Sequence, residues 1–200
     1  TGAETGGFIE ACGIIVMETL RLETSRLIIR NLTFLDADDF HLYRSNPEVT
    51  KYQSFEPMTQ EKAAEFIDSQ KDKLFGNPGE WVQYGLENKA TRKIIGDCAV
   101  KLDGDDERIA EIGITISHLE QQKGYAKETM LGLLGFLFGE KQIHRVVETV
   151  DAENESSIHL LKSIGFRCEA HFVENIFFKG KWGSEYVYAM LRREWDARLR

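Results

Sequence analysis

The chain predicts an α/β fold on a mixed sheet, antiparallel in its first part and completed by a strand-helix-strand unit. Three observations carry this. Apolar runs recur between residues 81 and 117 with turn residues between them, an amphipathic helical stretch follows the last of them, and a short β-branched run, Val146 to Val150, comes after that helix. With 200 residues, 42% of them hydrophobic, including 12 Phe and 3 Trp, the chain suits one domain with a sizeable core.

Residues 1–16 carry several glycines and little periodicity. They are expected to be a tail or a short extra strand through Gly13-Ile14-Ile15-Val16, with the domain proper spanning 17–200. Strand patterns open at Leu20-Arg21-Leu22 and Leu27-Ile28-Ile29. Asp36-Ala37-Asp38-Asp39 then sets acids at the positive end of a helix that carries Phe40, Leu42 and Tyr43 and stops at Asn46-Pro47. A second helix starts behind Thr59, places Ala63, Phe66, Ile67, Gln70 and Leu74 at helical spacing, and ends at Gly76-Asn77-Pro78-Gly79.

Strands follow over Trp81 to Glu87, Ile94 to Leu102 and Ala110 to Ser117. Asn88-Lys89 and Asp103-Gly104-Asp105-Asp106 break them into an antiparallel meander. Gly124 to Phe138 is helical, with Ala126, Met130, Leu133, Leu134 and Leu137 on one face, and Val146 to Val150 reads as an inner strand. A helix from Asn154 to Ser163 ends at Gly165. Strands over Phe172 to Phe178 and Glu185 to Leu191 flank a turn at Lys179-Gly180-Lys181-Trp182-Gly183.

A net charge of −8 speaks against a general nucleic-acid binder, since neutralising phosphates takes a basic surface, and it suits a cationic substrate. Cys12, Cys98 and Cys168 are far apart with no Cys-x-x-Cys pair, so neither a disulfide framework nor a metal site is expected. No run approaches the roughly 18 to 20 apolar residues of a membrane span, and Thr1 to Val16 lacks a basic signal region. The expectation is a cytoplasmic protein without a membrane partner; a homodimer is compatible with it.

The most informative stretch is the strand Glu111 to Ile116, followed by His118 to Lys123 and by Gly124-Tyr125-Ala126 opening a helix. A strand feeding a glycine at a helix start presents free N–H groups and the positive end of a helix dipole, which together suit a pyrophosphate. Gly124 lets backbone and ligand approach closely, and Lys123 can add a charge-assisted contact. Spacing by itself fits an ordinary strand-to-helix turn equally well.

Context separates the two. Gln121-Gln122-Lys123-Gly124-Tyr125-Ala126 resembles the acetyl-CoA pattern Gln/Arg-x-x-Gly-x-Gly/Ala of the GNAT superfamily. Leu22 to Arg30 resembles the opening strand of the branch that contains ribosomal-protein N-terminal acetyltransferases. Asn154-Glu155-Ser156-Ser157-Ile158 with Ile164-Gly165-Phe166 is similar to that branch's Asn-x-x-Ser and Gly-Phe segment, and the ending from Gly180-Lys181-Trp182 to Trp195 is similar too. The likeness runs in matching order over residues 20–195. It implies the GNAT fold, a mixed and mostly antiparallel twisted sheet of about seven strands flanked by about four helices. It also implies acetyl-CoA as co-substrate, bound around Ile114, Ile116 and Gln121 to Ala126, without a metal. One departure stands out: many members carry a second glycine where this chain has Gln122, so a stiffer loop is expected there.

The resemblance implies direct transfer of an acetyl group to a primary amine, such as a protein N-terminus or a small amine. An acyl-CoA-binding module without catalysis is the alternative, since no base is unmistakable. Transfer sets three tasks: the amine loses a proton, the carbonyl is polarised, and the departing thiolate is stabilised. For polarisation, the resemblance implies a distorted strand whose N–H groups are free, here Gly113 to Ile116; Ile114 and Ile116 contribute backbone, their side chains core. For the thiolate it implies Ser157, with Asn154 orienting the pantetheine arm, although Asn154 and Ser157 also fit a plain helix cap. Tyr186 and Tyr188 are reserve donors that share a strand face. Glu111 is the candidate base and His118 the alternative.

Overall fold

The computed structural model describes residues 18–198; the expected tail or strand over 1–16 lies outside the described residues. Two short strands come first, β1 (Arg21–Glu23) and β2 (Leu27–Asn31), then helices α1 (Ala37–Arg44), α2 (Pro47–Thr50) and α3 (Gln60–Gln70). The alternating runs form β3 (Val82–Asn88), β4 (Ile94–Leu102) and β5 (Ile109–Ile116). Helix α4 (Tyr125–Leu134), β6 (Arg145–Asp151) and α5 (Glu155–Ser163) follow, then β7 (Arg167–Phe178), β8 (Lys181–Leu191) and α6 (Arg192–Asp196).

Among the described residues the strands join one sheet of eight in the order β1-β2-β3-β4-β5-β6-β8-β7. Every neighbouring pair is antiparallel except β5 with β6. Alternation sends Val100, Leu102, Ala110, Ile112 and Val146 to one face, where they meet Met130, Leu133 and Leu134 of α4 and Leu161 of α5 in the main core. The opposite face carries a smaller core in which Phe40 and Tyr43 of α1 and Ala63 and Ile67 of α3 meet Leu32 and Ile94. Each buried Leu or Ile of these cores stabilises the fold by roughly 1.5–3 kcal/mol relative to exposure. Among the described residues, no helix is long and apolar enough to cross a membrane.

Several boundaries differ from those expected, each for a local reason. Asn46-Pro47 ends α1 but also starts α2: the Asn46 side chain accepts from Glu48 N at 2.9 Å, and Pro47 sits in the first turn, where a missing N–H costs nothing. Helix α3 stops at Gln70, short of Leu74: its end tightens to three-residue turns, with Lys71 N donating to the Asp68 carbonyl and Lys73 N to the Gln70 carbonyl, while the Gln70 side chain turns inward and accepts from Gln83 N at 3.0 Å. The helix expected to Phe138 is α-helical only to Leu134, and Gly135–Glu140 continue as a wider π-helical turn. The final hairpin is tighter than expected. Lys179 (φ 46) and Gly180 (φ 80) make a two-residue turn, and Lys181 and Trp182 already pair with Phe178 and Phe177. Strand β7 begins at Arg167 instead of Phe172, because the edge of β8 pairs a segment that has no alternation of its own.

Candidate active site

Strands β5 and β6 pair only at Ile109 with Arg145, Ala110 with Val146 and Glu111 with Val147. Beyond that point Ile112 to Ile116 and Glu148 to Asp151 have no pairing with each other, so the sheet opens into a notch between two parallel walls. Alternate N–H groups of the β5 wall therefore face the notch instead of a neighbouring strand. The expected distortion of this strand is absent: β5 stays in continuous register with β4 from Leu102 opposite Ala110 to Gly96 opposite Ile116. Parting from β6, not a bulge, is what frees the donors. Ile114 and Ile116 pack against the main core, as their side chains were expected to.

Both helices of the main-core face start at the open end of the notch, because α4 follows β5 and α5 follows β6. That is where parallel strands of open α/β sheets place their ligands. Gly124 caps α4 with φ 82 and no side-chain cap, so the first-turn N–H groups are uncommitted. Gln122 adopts φ 59, the conformation that a glycine would favour there. The departure at Gln122 thus keeps the glycine-like backbone path at a strain of about 1–2 kcal/mol. Gln121 donates through Nε2 to the Ile116 carbonyl at 3.2 Å, which ties the loop to the end of β5, and Lys123 pairs with Glu120 at 3.0 Å.

Arg26 fixes this loop from the side. Its Nη1 donates to the Lys123 carbonyl at 2.9 Å, its Nε pairs with Glu128 at 2.6 Å, and its guanidinium lies 4.3 Å from the centre of the Tyr125 ring. Thr24 Oγ1 and Arg26 N donate to the same carboxylate at 2.6 and 2.7 Å. Burial opposes ionisation of Glu128, but these donors outweigh it and hold its carboxyl below the ordinary value. The Leu22 to Arg30 stretch is therefore the anchor of the candidate phosphate loop, a role that its sequence does not disclose.

Asn154 caps α5, its Oδ1 accepting from Ser157 N at 3.2 Å, and Ser157 is half-buried on the first turn. Glu111 is at the last paired position before the notch and forms an ion pair with Lys101 at 2.5 Å. His118 is exposed in a short turn. Tyr186 and Tyr188 share a face, their rings 6.3 Å apart, and Tyr186 also stacks on His171 at 4.4 Å. A pocket of about 320 Å³ opens on the β8 side of β6, lined in part by Asp151, Glu153, Glu174, His171, Lys181, Trp182 and Tyr186; Lys181 pairs with Glu153 at 2.8 Å, which leaves Asp151 and Glu174 as the acids toward a ligand. Its acids and aromatic faces suit an ammonium group. Buried Cys98 has its thiol pushed up by desolvation and then by Asp97, and so is unreactive.

One group at the notch escaped the sequence reading. Glu148, the first β6 residue beyond the paired segment, is 5% exposed, and among the described residues its Oε2 has no hydrogen-bond partner. Burial, and then the charge of Glu111, push its carboxyl up to about 8. The available signal was its inward parity, with Val146 and Val150 on either side along the strand.

Comparison with known proteins adds a second line. The model of the acetyltransferase (GNAT) domain matches residues 26–167. The chain is 32% identical to the uncharacterized N-acetyltransferase p20 of Bacillus licheniformis, over 90% of this chain and 99% of that protein. A GNAT-family acetyltransferase of Bacillus anthracis superposes with a TM-score of 0.79 at 27% identity, covering 88% of this chain and all of the other. Spermidine N-acetyltransferase of Vibrio cholerae, solved with CoA and spermine, shares the fold at a TM-score of 0.72 and 24% identity, over 86% of this chain and 98% of its own.

Proposed function

The chain belongs to the GNAT acetyltransferase family and is an acyltransferase, and from that premise we propose that it moves the acetyl group of acetyl-CoA directly to a primary amine. The observation that carries this is the junction of an opened β5/β6 notch with an uncapped glycine helix start. In this reading the first turn of α4, from Gly124 to Ala126, takes the pyrophosphate, with Gln121, Gln122 and Lys123 shaping the loop, and the free N–H groups of Ile112 to Ile116 take the pantetheine and the acetyl oxygen. The thioester supplies an activated acyl carbon; the protein supplies placement and proton control.

Asn154 holds the first turn of α5, and Ser157 donates a hydrogen bond to the departing sulfur. Glu111 is the base for the amine, acting directly or through one water once its link to Lys101 loosens. Tyr186, on the wall of the acidic pocket, meets the acceptor. A cationic acceptor fits that pocket and the charge of −8, and a spermine-bound relative of the same fold supports a polyamine among the candidates, beside protein N-termini.

The test is thiol release from acetyl-CoA by the purified protein with spermine, N-terminal peptides and aminoglycosides, alongside calorimetric titration with CoA. The expected result is CoA binding together with acceptor-dependent release. Binding without release from any acceptor would reduce the site to a binding module, and failure to bind would remove Gly124 and its loop from the assignment.

A further inference from the structure

Acetyl transfer leaves a thiolate that needs a proton; of the reserve donors, Tyr186 lines the acceptor pocket, and a phenol such as Tyr188, with an ordinary pKa of about 10, holds its proton more firmly than a thiol. A serine hydroxyl hydrogen-bonds a thiolate but is too weak an acid to give up its proton near neutral pH. The donor must lie at the notch, on the face that carries α4 and α5. It must also hold its proton about as firmly as a thiol, whose ordinary pKa is about 8.5.

Glu148 stands at that place. Continuing the β5/β6 register one step would pair it with Ile112, but the strands have already parted, so Glu148 marks the apex of the notch. Its side chain points to the main-core face with Val146 and Val150, opposite Tyr188 of β8. Among the described residues it forms no ion pair, and its Oε2 is buried without a partner. A carboxylate kept there charged would be costly, so the folded chain holds it as the neutral acid.

Glu111, one strand away, has its side chain on the opposite face, about one-third exposed and ion-paired with Lys101. Two carboxyl groups in contrasting environments are how one site runs acid and base steps together. We infer that Glu148 is the acid that protonates the departing thiolate, working across the apex of the notch from Glu111 as the base. The inference rests on the acetyl-transfer reading above.

The step balances. The acceptor ammonium gives one proton to Glu111, and its nitrogen forms the bond to the acetyl carbon. The C–S bond breaks with its electron pair on sulfur, the O–H bond of Glu148 breaks, and an S–H bond forms. The second proton lost by the nitrogen returns Glu148 to its neutral form, and Glu111 releases the first to solvent. No oxidant or reductant takes part.

Glu148→Gln keeps the shape and removes the acid. With acetyl-CoA and the best amine of the panel, E148Q should lower kcat by about a hundredfold or more, while calorimetric affinity for CoA stays within about threefold. In the wild type, kcat should fall as pH rises past about 8, and this limb should disappear in E148Q. The selenoester analogue of acetyl-CoA releases a selenolate that needs no proton, so with it the variant should recover to within about tenfold of wild type. Glu148→Asp, which retains a carboxyl group, should restore part of the rate with the thioester. An E148Q enzyme of undiminished kcat, or one equally slow with both donors, overturns the assignment while leaving acetyl transfer intact. A wild-type protein that releases no thiol with any amine removes the reading beneath it instead.

Discussion

The two walls of the notch are built to different standards. On the β5 side, β3 and β4 are buried almost throughout, and charge is locked in place there: Asp97, fully buried, accepts from Tyr43 Oη at 2.6 Å, from Arg44 at 3.0 and 2.6 Å, and from Gln83 at 2.5 Å. On the β6 side the sheet runs out into a hairpin whose edge strand β7 is exposed nearly end to end, with Phe172, Val173, Phe177 and Trp182 turned to solvent. The turn of that hairpin reaches back to the first half through Lys179 Nζ, which donates to the Thr50 carbonyl at 2.6 Å. A cofactor read by backbone geometry needs a wall that does not move, whereas an acceptor read by side chains needs one that can change without unfolding the domain.

The contrast breaks hardest at Asp97. Asp97→Ala leaves the Arg44 guanidinium charged, 3% exposed and without its carboxylate, which should cost about 3–5 kcal/mol. Urea unfolding measures it; a loss below about 1 kcal/mol would mean that the rigid wall does not depend on this network.

Next in size is the pH dependence that Glu148 imposes. Its folded value of about 8 lies above the ordinary carboxyl value of 4.5, so between those limits the folded chain keeps a proton that the unfolded chain has lost. Its contribution is therefore most favourable below about 4.5, declines as pH rises to about 8 and is flat beyond. Stability measured across that window should slope downward by a few kcal/mol in the wild type, and E148Q should flatten the slope. Wild-type and E148Q curves that run parallel across that window would show that Glu148 is not held neutral.

How much of this was legible in the sequence follows the same division. Strands β3 to β5 and the Gly124 helix start could be read because their signals are local: alternation, turn residues, and a glycine placed where φ 82 is needed. The insertion of β8 between β6 and β7 could not, since pairing order depends on contacts between segments far apart in the chain. Arg26 looks like one more surface charge between β1 and β2 until Glu128 and Lys123, about a hundred residues later, come to meet it. Glu148 was hidden in the β-branched run Val146-Val147-Glu148-Thr149-Val150, where only its parity with Val146 and Val150 marks it as inward.

On the cofactor side, Gly124→Ala sharpens the comparison at smaller scale. A Cβ there would find room, 3.4 Å from the Arg26 Nη2, but φ 82 is strained for any L side chain. The loop should rotate its N–H groups away, weakening CoA binding by about tenfold, or about 1.4 kcal/mol, while the fold persists. Titration calorimetry reads this directly. Affinity within a factor of about two would place the phosphate elsewhere.

The smallest expected effect on stability is at the exposed end of the comparison. Trp182 is 60% exposed, sits just after the hairpin turn, packs edge-on against Phe177 at 5.5 Å and lines the acidic pocket. Trp182→Ala should change unfolding free energy by no more than about 0.5 kcal/mol, because little apolar surface returns to water there. If this hairpin chooses the acceptor, the same change should raise KM for the amine several-fold while leaving CoA affinity untouched, since an aromatic face contributes about 0.5–1 kcal/mol to holding an exposed cation. A change in CoA affinity instead would mean that the two walls are not independent, and that the hairpin belongs to the cofactor site it was set against.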